Sequence, residues 1–210
     1  DVFGVDIDSD GDIDVVSASQ GSDTIGWYEN NGSESFTTHT VSTMATNAQS
    51  VVAADLDSDG DVDIAATAEQ LDEVAWFEND GSETFTARTL TTQAGGAETV
   101  TAADIDGDGD WDLVAANADD GTVSWFENEA VHRSFAVDGA RSIRTIGSVY
   151  GRGTAADFDR DGDLDLALLN TFTSSDTDTV LYLENDGDGD FTSSTIESMG
   201  DDRPFSITSG

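Results

Sequence analysis

The chain has 210 residues and a formal charge of −38, because 45 acidic residues face only 7 basic ones, all of them Arg. Such a surface repels phosphate backbones and anionic lipids, which excludes nucleic-acid and membrane-surface binding and favours cations or neutral and basic partners. The absence of cysteine excludes disulfides and thiolate metal sites, and no apolar run approaches the ~20 residues of a membrane span.

The first 42 residues predict four short strands. "VFGV" leads into the acidic loop "DIDSDGDID" (6–14), and the apolar run "VVSAS" follows it. A third run centres on Trp27 and ends in "ENNGSE", where Asn-Gly indicates a hairpin turn. Phe36 opens a fourth run, "FTTHTV". These segments are rich in Val, Thr, Ala and aromatic residues, and no stretch of the chain shows a helical period.

The same markers then recur, with acidic loops that start 49, 49 and 53 residues apart. The later loops are "DLDSDGDVD" (55–63), "DIDGDGDWD" (104–112) and "DFDRDGDLD" (157–165). "WFEN", "WFEN" and "YLEN" follow at 76, 125 and 182, and each is followed by a Phe: Phe85, Phe135 and Phe191. Four strands per ~50 residues, repeated, is the pattern of a β-propeller blade. We therefore predict an all-β, single-domain propeller in which each Phe opens the fourth strand of its unit.

The predicted repeat units are 1–49, 50–98, 99–151 and 152–204, and 205–210 is a spare first strand of a further unit. In a closed ring of four blades, the first strand at the start of the chain and the spare first strand at 205–210 would compete for the same position. We therefore expect a fragment of a larger propeller, or one that another chain completes, including a second copy of this one. The chain begins at Asp1 without Met or a visible signal peptide, which we interpret as a mature or excised piece.

The acidic loops predict calcium sites. Asp at loop positions 1, 3 and 5 would converge around a tight turn, Gly at position 6 permits the bend, position 7 would offer its backbone carbonyl, and Asp at position 9 could close the shell. Oxygen ligands without His or Cys favour Ca²⁺ over Zn²⁺, and Mg²⁺ prefers to keep more waters. We expect about four Ca²⁺ ions, one per repeat. The candidate ligands are Asp6, Asp8, Asp10, Asp12, Asp14, Asp55, Asp57, Asp59, Asp61, Asp63, Asp104, Asp106, Asp108, Asp110, Asp112, Asp157, Asp159, Asp161, Asp163 and Asp165.

An EF-hand opens in the same way but requires a Glu at loop position 12. That position holds Ser17, Ala66, Ala115 and Leu168 here, and the loops lead into strands. The EF-hand alternative is therefore excluded.

The four loops, with "FGVD" before the first and "PFSITSG" at the end, resemble FG-GAP (VCBS-type) repeats. These repeats form the propeller of integrin α-subunits and of secreted bacterial proteins. The resemblance covers essentially the whole chain and implies a Ca²⁺ in the hairpin between the first two strands of each blade. The sequence departs from the family in having Phe-Gly only at Phe3–Gly4, and four units instead of the usual seven.

Aromatic and basic residues supply further candidates. Trp27, Trp76 and Trp125 share one repeat position, where packing between blades is favoured over stacking on a sugar. Trp111 has no Trp counterpart in the other loops, which makes it the better candidate for a ligand contact, although core packing is favoured. The third unit carries extra residues and a group of arginines, which either pair with nearby carboxylates or contact an acidic sugar or partner. Its members proposed as ligand contacts are Arg133, Arg141, Arg144 and Arg152.

No nucleophile or metal-hydrolase motif is present, and the Glu-Asn pairs before the turns are interpreted as turn formers. We therefore expect a calcium-stabilised extracellular or cell-surface binding or adhesion module with a protein or carbohydrate ligand. Two alternatives remain: a polysaccharide lyase or other sugar-acting enzyme on the same fold, and a purely structural segment of a larger protein.

Overall fold

The computed structural model describes residues 1–33, 35–43, 45–129, 134–135, 140–145, 153–170, 178–187 and 190–200. These residues form β-strands and two short 3₁₀ turns, at Gln20–Ser22 and Glu69–Leu71. None of the described helices is long and apolar enough to cross a membrane.

The strands form four antiparallel sheets of four strands each. The first sheet comprises β1 (Val2–Val5), β2 (Asp14–Ser19), β3 (Thr24–Asn30) and β4 (Phe36–Ser42). The second comprises β5 (Ala48–Ala54), β6 (Asp63–Ala68), β7 (Glu73–Asn79) and β8 (Phe85–Thr91). The third comprises β9 (Ala97–Ala103), β10 (Asp112–Asn117), β11 (Thr122–Phe126) and β14 (Arg141–Thr145). The fourth comprises β15 (Gly153–Ala156), β16 (Asp165–Asn170), β17 (Asp178–Asn185) and β18 (Phe191–Gly200). Each sheet is one blade, which confirms the predicted all-β propeller architecture.

The third blade corrects one expectation. Phe135 does not open the outer strand; it lies in a separate two-stranded ladder of β12 (Asn128–Glu129) and β13 (Ser134–Phe135), and the outer strand begins at Arg141. Phe135 still pairs with Asn128, as Phe36 pairs with Asn30 in the first blade. One of the extra residues of this unit therefore lengthens the turn between Asn128 and Phe135, and three lie between Phe135 and Arg141, where they displace the outer strand.

The core lies between adjacent blades as three apolar clusters. Trp27 packs with the second blade, Trp76 with the third and Trp125 with the fourth, and all three indoles are buried. Alternate residues of each strand face the two neighbouring blades, which explains why the second strands are almost continuously apolar. The interpretation of these Trp residues as packing residues is confirmed.

The outer faces of the first and fourth blades are not covered by a neighbouring blade of the described chain. At loop position 2, Ile7, Leu56 and Ile105 are buried against the following blade, but Phe158 is 45% exposed. Conversely, Phe135 is 5% exposed against Trp76 of the preceding blade, whereas Phe36 of the first blade is 53% exposed. The four sheets therefore form an open arc.

Asparagines that share one position of the repeat also join the blades through hydrogen bonds. The Asn128 side-chain amide donates to the carbonyl of Leu56 in the preceding blade at 2.7 Å and to its own blade's Trp111 carbonyl at 3.1 Å. Asn185 repeats this arrangement, with 2.8 Å to the Ile105 carbonyl. These buried donors therefore fix the spacing of neighbouring loops as well as the turn in which they lie.

The matched asparagines predict a difference in stability. Asn128→Ala leaves the buried Leu56 carbonyl without this donor and should lower the free energy of unfolding by about 1–3 kcal/mol. Asn30→Ala should cost less, because the Asn30 amide donates to a carbonyl of its own blade, Ile13, at an exposed site. Urea unfolding of both variants measures the difference, and equal losses would show that the contact between blades contributes nothing.

Candidate metal centres

Each acidic loop joins the innermost strand of a blade to the second strand. Glycine occupies position 6 with φ between +96° and +109°, the left-handed region in which a side chain is strained, at Gly11, Gly60, Gly109 and Gly162. The residue at position 4 is also left-handed, as at Ser9 and Arg160. These two reversals wind the loop tightly enough for alternate side chains to point to its inside.

Hydrogen bonds within the loop aim the carboxylates. The backbone N–H of position 5 donates to the carboxylate of position 3 at 3.1–3.3 Å, and the N–H of position 7 donates to that of position 5 at 2.8–3.0 Å, in all four loops. In the first three loops the glycine N–H also donates to the position 1 carboxylate at 3.1 Å. In the fourth, Arg160 donates its N–H to Asp157 instead.

Three carboxylates converge in every loop, with one oxygen of each lying within 4.8 Å of the others. The four groups are Asp6, Asp8 and Asp10; Asp55, Asp57 and Asp63; Asp104, Asp106 and Asp108; and Asp157, Asp159 and Asp165. Positions 1 and 3 therefore take part in each group, and the third member comes from position 5 or position 9.

These groups carry the features that a hard cation would satisfy. One carboxylate oxygen of Asp6 and one of Asp104 are buried without a hydrogen-bond partner, which is costly for an anionic atom. Burial raises the pKa of Asp8, Asp57 and Asp106 at position 3, and the charges of neighbouring carboxylates add to the effect. The residues present therefore fit a bound Ca²⁺, whose charge would favour the ionised carboxylates.

The aspartate at position 9 has a structural role that spacing alone does not reveal. One oxygen of this fully buried carboxylate accepts the N–H of position 2 at 2.9–3.1 Å, and the other accepts the N–H of the turn asparagine at 2.7–2.9 Å. The four residues are Asp14, Asp63, Asp112 and Asp165. Burial raises the pKa of Asp63 and of Asp112 to about 7, although these N–H donors act in the opposite direction. The ninth residue therefore ties the loop to the end of the third strand.

The carboxylate at position 7 is a member of none of these converging groups in the described loops. In three loops it lies against the glycine of the turn between the third and fourth strands, where a Cβ would overlap it: Asp12 on Gly32, Asp61 on Gly81 and Asp163 on Gly187. In the third loop Asp110 instead accepts the Ser58 hydroxyl of the preceding blade's loop at 3.2 Å. The position 7 carboxylate therefore contacts the turn of its own blade in three loops and the loop of the preceding blade in the third.

The structure describes the side chains of only two of the predicted ligand contacts, Trp111 and Arg141. Trp111, at position 8 of the third acidic loop, is 45% exposed, so its interpretation as a core residue is wrong. The Arg141 guanidinium lies over Trp125, 4.8 Å from the ring centre, and pairs with Glu127 at 2.6 Å. Arg144 belongs to β14, and its side chain is outside the description; Arg133 and Arg152 lie outside the described residues. The one described side chain of the arginine group is thus paired with a carboxylate.

Arg141 belongs to a repeated arrangement that the sequence interpretation missed. In the first blade His39 stacks on Trp27 at 4.3 Å and contacts Glu29 at 2.8 Å, and in the second Arg88 lies over Trp76 and pairs with Glu78. In the first three blades the Glu of the Glu-Asn pair therefore holds a basic outer-strand residue over the indole, whereas the fourth has Tyr182 opposite Ser194. The sequence feature that indicates this arrangement spans two strands: a Trp, a Glu two residues later, and a basic residue in the following strand.

A protein-family model described as an FG-GAP-like repeat matches residues 6–66, 57–115 and 105–168. The chain belongs to the FG-GAP-like repeat family. No curated protein matches it significantly.

Two solved structures share the fold of this FG-GAP-like chain. A lectin from Agrocybe aegerita that recognises non-reducing terminal N-acetylglucosamine aligns with a TM-score of 0.61 at 20% identity, over 96% of this chain and 52% of the lectin. A putative 6-phosphogluconolactonase from Bacteroides uniformis aligns with a TM-score of 0.57 at 15% identity, over 89% of this chain and 54% of that protein. The chain therefore spans about half the length of these two structures.

The turn glycines predict the sensitivity of the loops. Gly81→Ala places a methyl group on the Asp61 carboxylate at a residue with φ of +74°, so we expect a loss of about 1–3 kcal/mol of stability. Gly21→Ala is the control, because nothing lies within 4 Å of the added Cβ and φ is not left-handed, so its effect should stay within about 0.5 kcal/mol. Thermal unfolding compares them; a Gly81→Ala protein as stable as the control would contradict the contact.

Glu98 predicts a pH effect away from the acidic loops. It lies near the start of β9, and burial, with the charges of Glu69 and Asp119, raises its pKa from 4.5 to about 7. The folded state then binds more protons than the unfolded state between these values, so this group lowers stability as the pH rises from 4.5 to 7. Glu98→Gln should therefore stabilise the protein at pH 8 relative to its effect at pH 4.

Urea unfolding at both pH values measures this difference. The exposed Glu83, changed to Gln, serves as the control for the loss of one charge. A Glu98→Gln effect that is the same at pH 4 and pH 8 would contradict the shifted pKa.

Proposed function

We propose that the protein is a calcium-stabilised extracellular binding module. The observation that carries the proposal is the fourfold convergence of three carboxylates within 4.8 Å, in loops whose backbone hydrogen bonds aim them inward. Four such groups on a chain of formal charge −38 favour a divalent cation with oxygen ligands. Carboxylate ligands that come from neighbouring positions of one loop suit the flexible coordination of Ca²⁺ better than the strict octahedron of Mg²⁺.

The metal's proposed role is structural. Asp6, Asp55, Asp104 and Asp157 would ligate it at position 1, together with the position 3 residue and one further aspartate of the same loop. Each ion would offset the mutual repulsion of the carboxylates in a hairpin whose ninth residue already joins it to the end of the third strand. At a free concentration of 100 times Kd, one independent site stabilises the fold by about 2.7 kcal/mol.

The proposed extracellular setting rests on calcium availability, and the absence of cysteine is compatible with it. Extracellular modules use weak calcium sites that fill at 10⁻⁴–10⁻³ M, concentrations that the cytosol does not maintain. A chain without cysteine needs no particular redox compartment. The ligand we propose is a carbohydrate or a protein, and the lectin that shares this fold supports the carbohydrate class.

The described residues do not favour the alternative of a lyase acting on acidic sugars. That alternative relied on the arginine group, and Arg141, its one described side chain, is paired with Glu127 and stacked on Trp125. A binding role therefore remains the better interpretation.

Calcium removal tests the proposal. Excess EDTA should lower the melting temperature by well over 5 °C, since several sites of about 2–3 kcal/mol each are lost, and added Ca²⁺ should restore it. Asp57→Asn should reduce the calcium bound per chain by one ion in equilibrium dialysis, whereas Glu83→Gln, which removes a charge outside the loops, should not. An unchanged melt in EDTA, or no calcium bound, would overturn the proposal.

A further inference from the structure

A polar pocket of about 270 Å³ lies between the second and third blades, at the end of the blades opposite the acidic loops. Thr91, Gln93 and Ala94 line it from the end of β8 and the connection to β9. Asp120 contributes from the turn between β10 and β11. Thr122 and Ser124 of β11 and Ser142 of β14 complete the polar wall. Its volume suits a single sugar ring, which is smaller than the ligands that typical pockets enclose.

A buried residue behind the pocket sets the direction of its hydroxyl groups. Asn117 is 1% exposed, and its side-chain amide donates to the Thr122 hydroxyl at 3.0 Å and to the Ser124 hydroxyl at 2.8 Å. Since each hydroxyl accepts from Asn117, its own proton is available to donate elsewhere. The buried oxygen of the Asn117 amide has no hydrogen-bond partner, so the residue acts here only as a donor. The wall therefore presents two oriented hydroxyl donors.

An anchored acceptor complements these donors. The Asp120 carboxylate accepts the N–H of Gly95 at 2.9 Å through one oxygen, which holds it at the edge of the pocket. Its other oxygen can accept hydroxyl protons from a ligand. Ala94 and Ala140 supply small apolar patches beside the polar groups. The hydroxyl donors, the Gln93 amide, the Asp120 carboxylate and the apolar patches together match the alternating polar and apolar surface of a sugar ring.

The complete polar wall occurs only in the third unit: the fourth blade also places Asn170 opposite Thr179, but it has Leu168 opposite Leu181 where the third has Ala115 opposite Ser124. The strand register places Asn117 opposite Thr122 and Ala115 opposite Ser124. The matching pairs of the second blade are Ala68 with Glu73 and Ala66 with Ala75, which provide neither the amide nor the hydroxyls. The displaced outer strand of the third blade supplies Ser142 at the same place. Ser124 therefore distinguishes the third unit, whereas the Asn–Thr pair recurs in the fourth.

We infer that this pocket binds one residue of a neutral saccharide, a hexose or an N-acetylhexosamine. The inference rests on the proposed binding function and adds its site and ligand class. A sugar carboxylate is disfavoured because Asp120 borders the pocket and the chain carries a formal charge of −38. Thr122, Ser124 and Gln93 would contact the sugar directly, and Asn117 is a positioning residue for the two hydroxyls.

Titration of the calcium-loaded protein with methyl glycosides of glucose, galactose, mannose and N-acetylglucosamine, and with glucuronate, tests the inference. Isothermal calorimetry gives the affinity, and amide chemical shifts give the site. At least one neutral glycoside should bind and shift the signals of residues 117–124, and glucuronate should bind at least about tenfold more weakly, a difference of about 1.4 kcal/mol.

Paired variants separate the site from its surroundings. Thr122→Val with Ser124→Ala removes both hydroxyls and should weaken binding about tenfold or more. Thr24→Val is the matched control, because Thr24 begins the third strand of the first blade as Thr122 does in the third, and its binding should not change. The melting temperature in calcium confirms that each variant is folded.

The outcomes distinguish the site from the proposed function. Binding that survives in the double variant, or shifts confined to other residues, would overturn the site and leave the binding function intact. Failure of all neutral glycosides would overturn the saccharide inference, while the EDTA melt tests the calcium role independently. Tighter binding of glucuronate than of any neutral glycoside would overturn the assigned ligand class.

Discussion

The buried aspartate at the ninth position of each acidic loop binds two backbone N–H groups that are far apart in sequence, and the rest of the blade depends on that pair of hydrogen bonds. In the third loop, Asp112 accepts from Ile105 within the loop and from Asn128 at the end of the third strand. The Asn128 amide then reaches the carbonyl of Leu56 in the blade before it. Loop, strand end and neighbouring blade are therefore connected through one buried carboxylate.

This connection places several negative charges close together, which is unfavourable without a counter-charge. Two unit charges about 4 Å apart in a partly shielded setting repel by roughly 4 kcal/mol, and each loop gathers three carboxylates. Backbone N–H donors offset part of that cost, but buried oxygens of Asp6 and Asp104 have no such donor. The fold thus creates its candidate cation sites as a consequence of the hydrogen bonds that hold the loops, because the same turn that satisfies the backbone turns the side chains inward.

Much of this architecture could be predicted from the sequence because the fold is periodic. Three markers in constant order, the acidic loop, the Trp or Tyr and the Phe, indicated four-stranded units and the burial of Trp27, Trp76 and Trp125. What the period could not show were contacts between units, such as Asn128 with Leu56, since 72 residues separate them. It also could not show which aspartates of a loop join the converging group. Asp10 joins it and Asp12 lies against Gly32, although the two residues are of the same type.

The third unit shows how a repeat acquires an individual surface. Its apolar contacts follow the pattern, since Phe135 pairs with Asn128 and packs edge-on against Trp76 as part of the core between blades. One added residue lies in the turn between the two, and three fall after Phe135, where they displace the outer strand without disturbing the core. Because β14 begins at Arg141, Ser142 comes to lie opposite Ser124, and the hydroxyl-lined wall forms beside Asn117. Buried apolar positions thus keep the blades in register, while the outer strand of one unit and the polar residues beside it change.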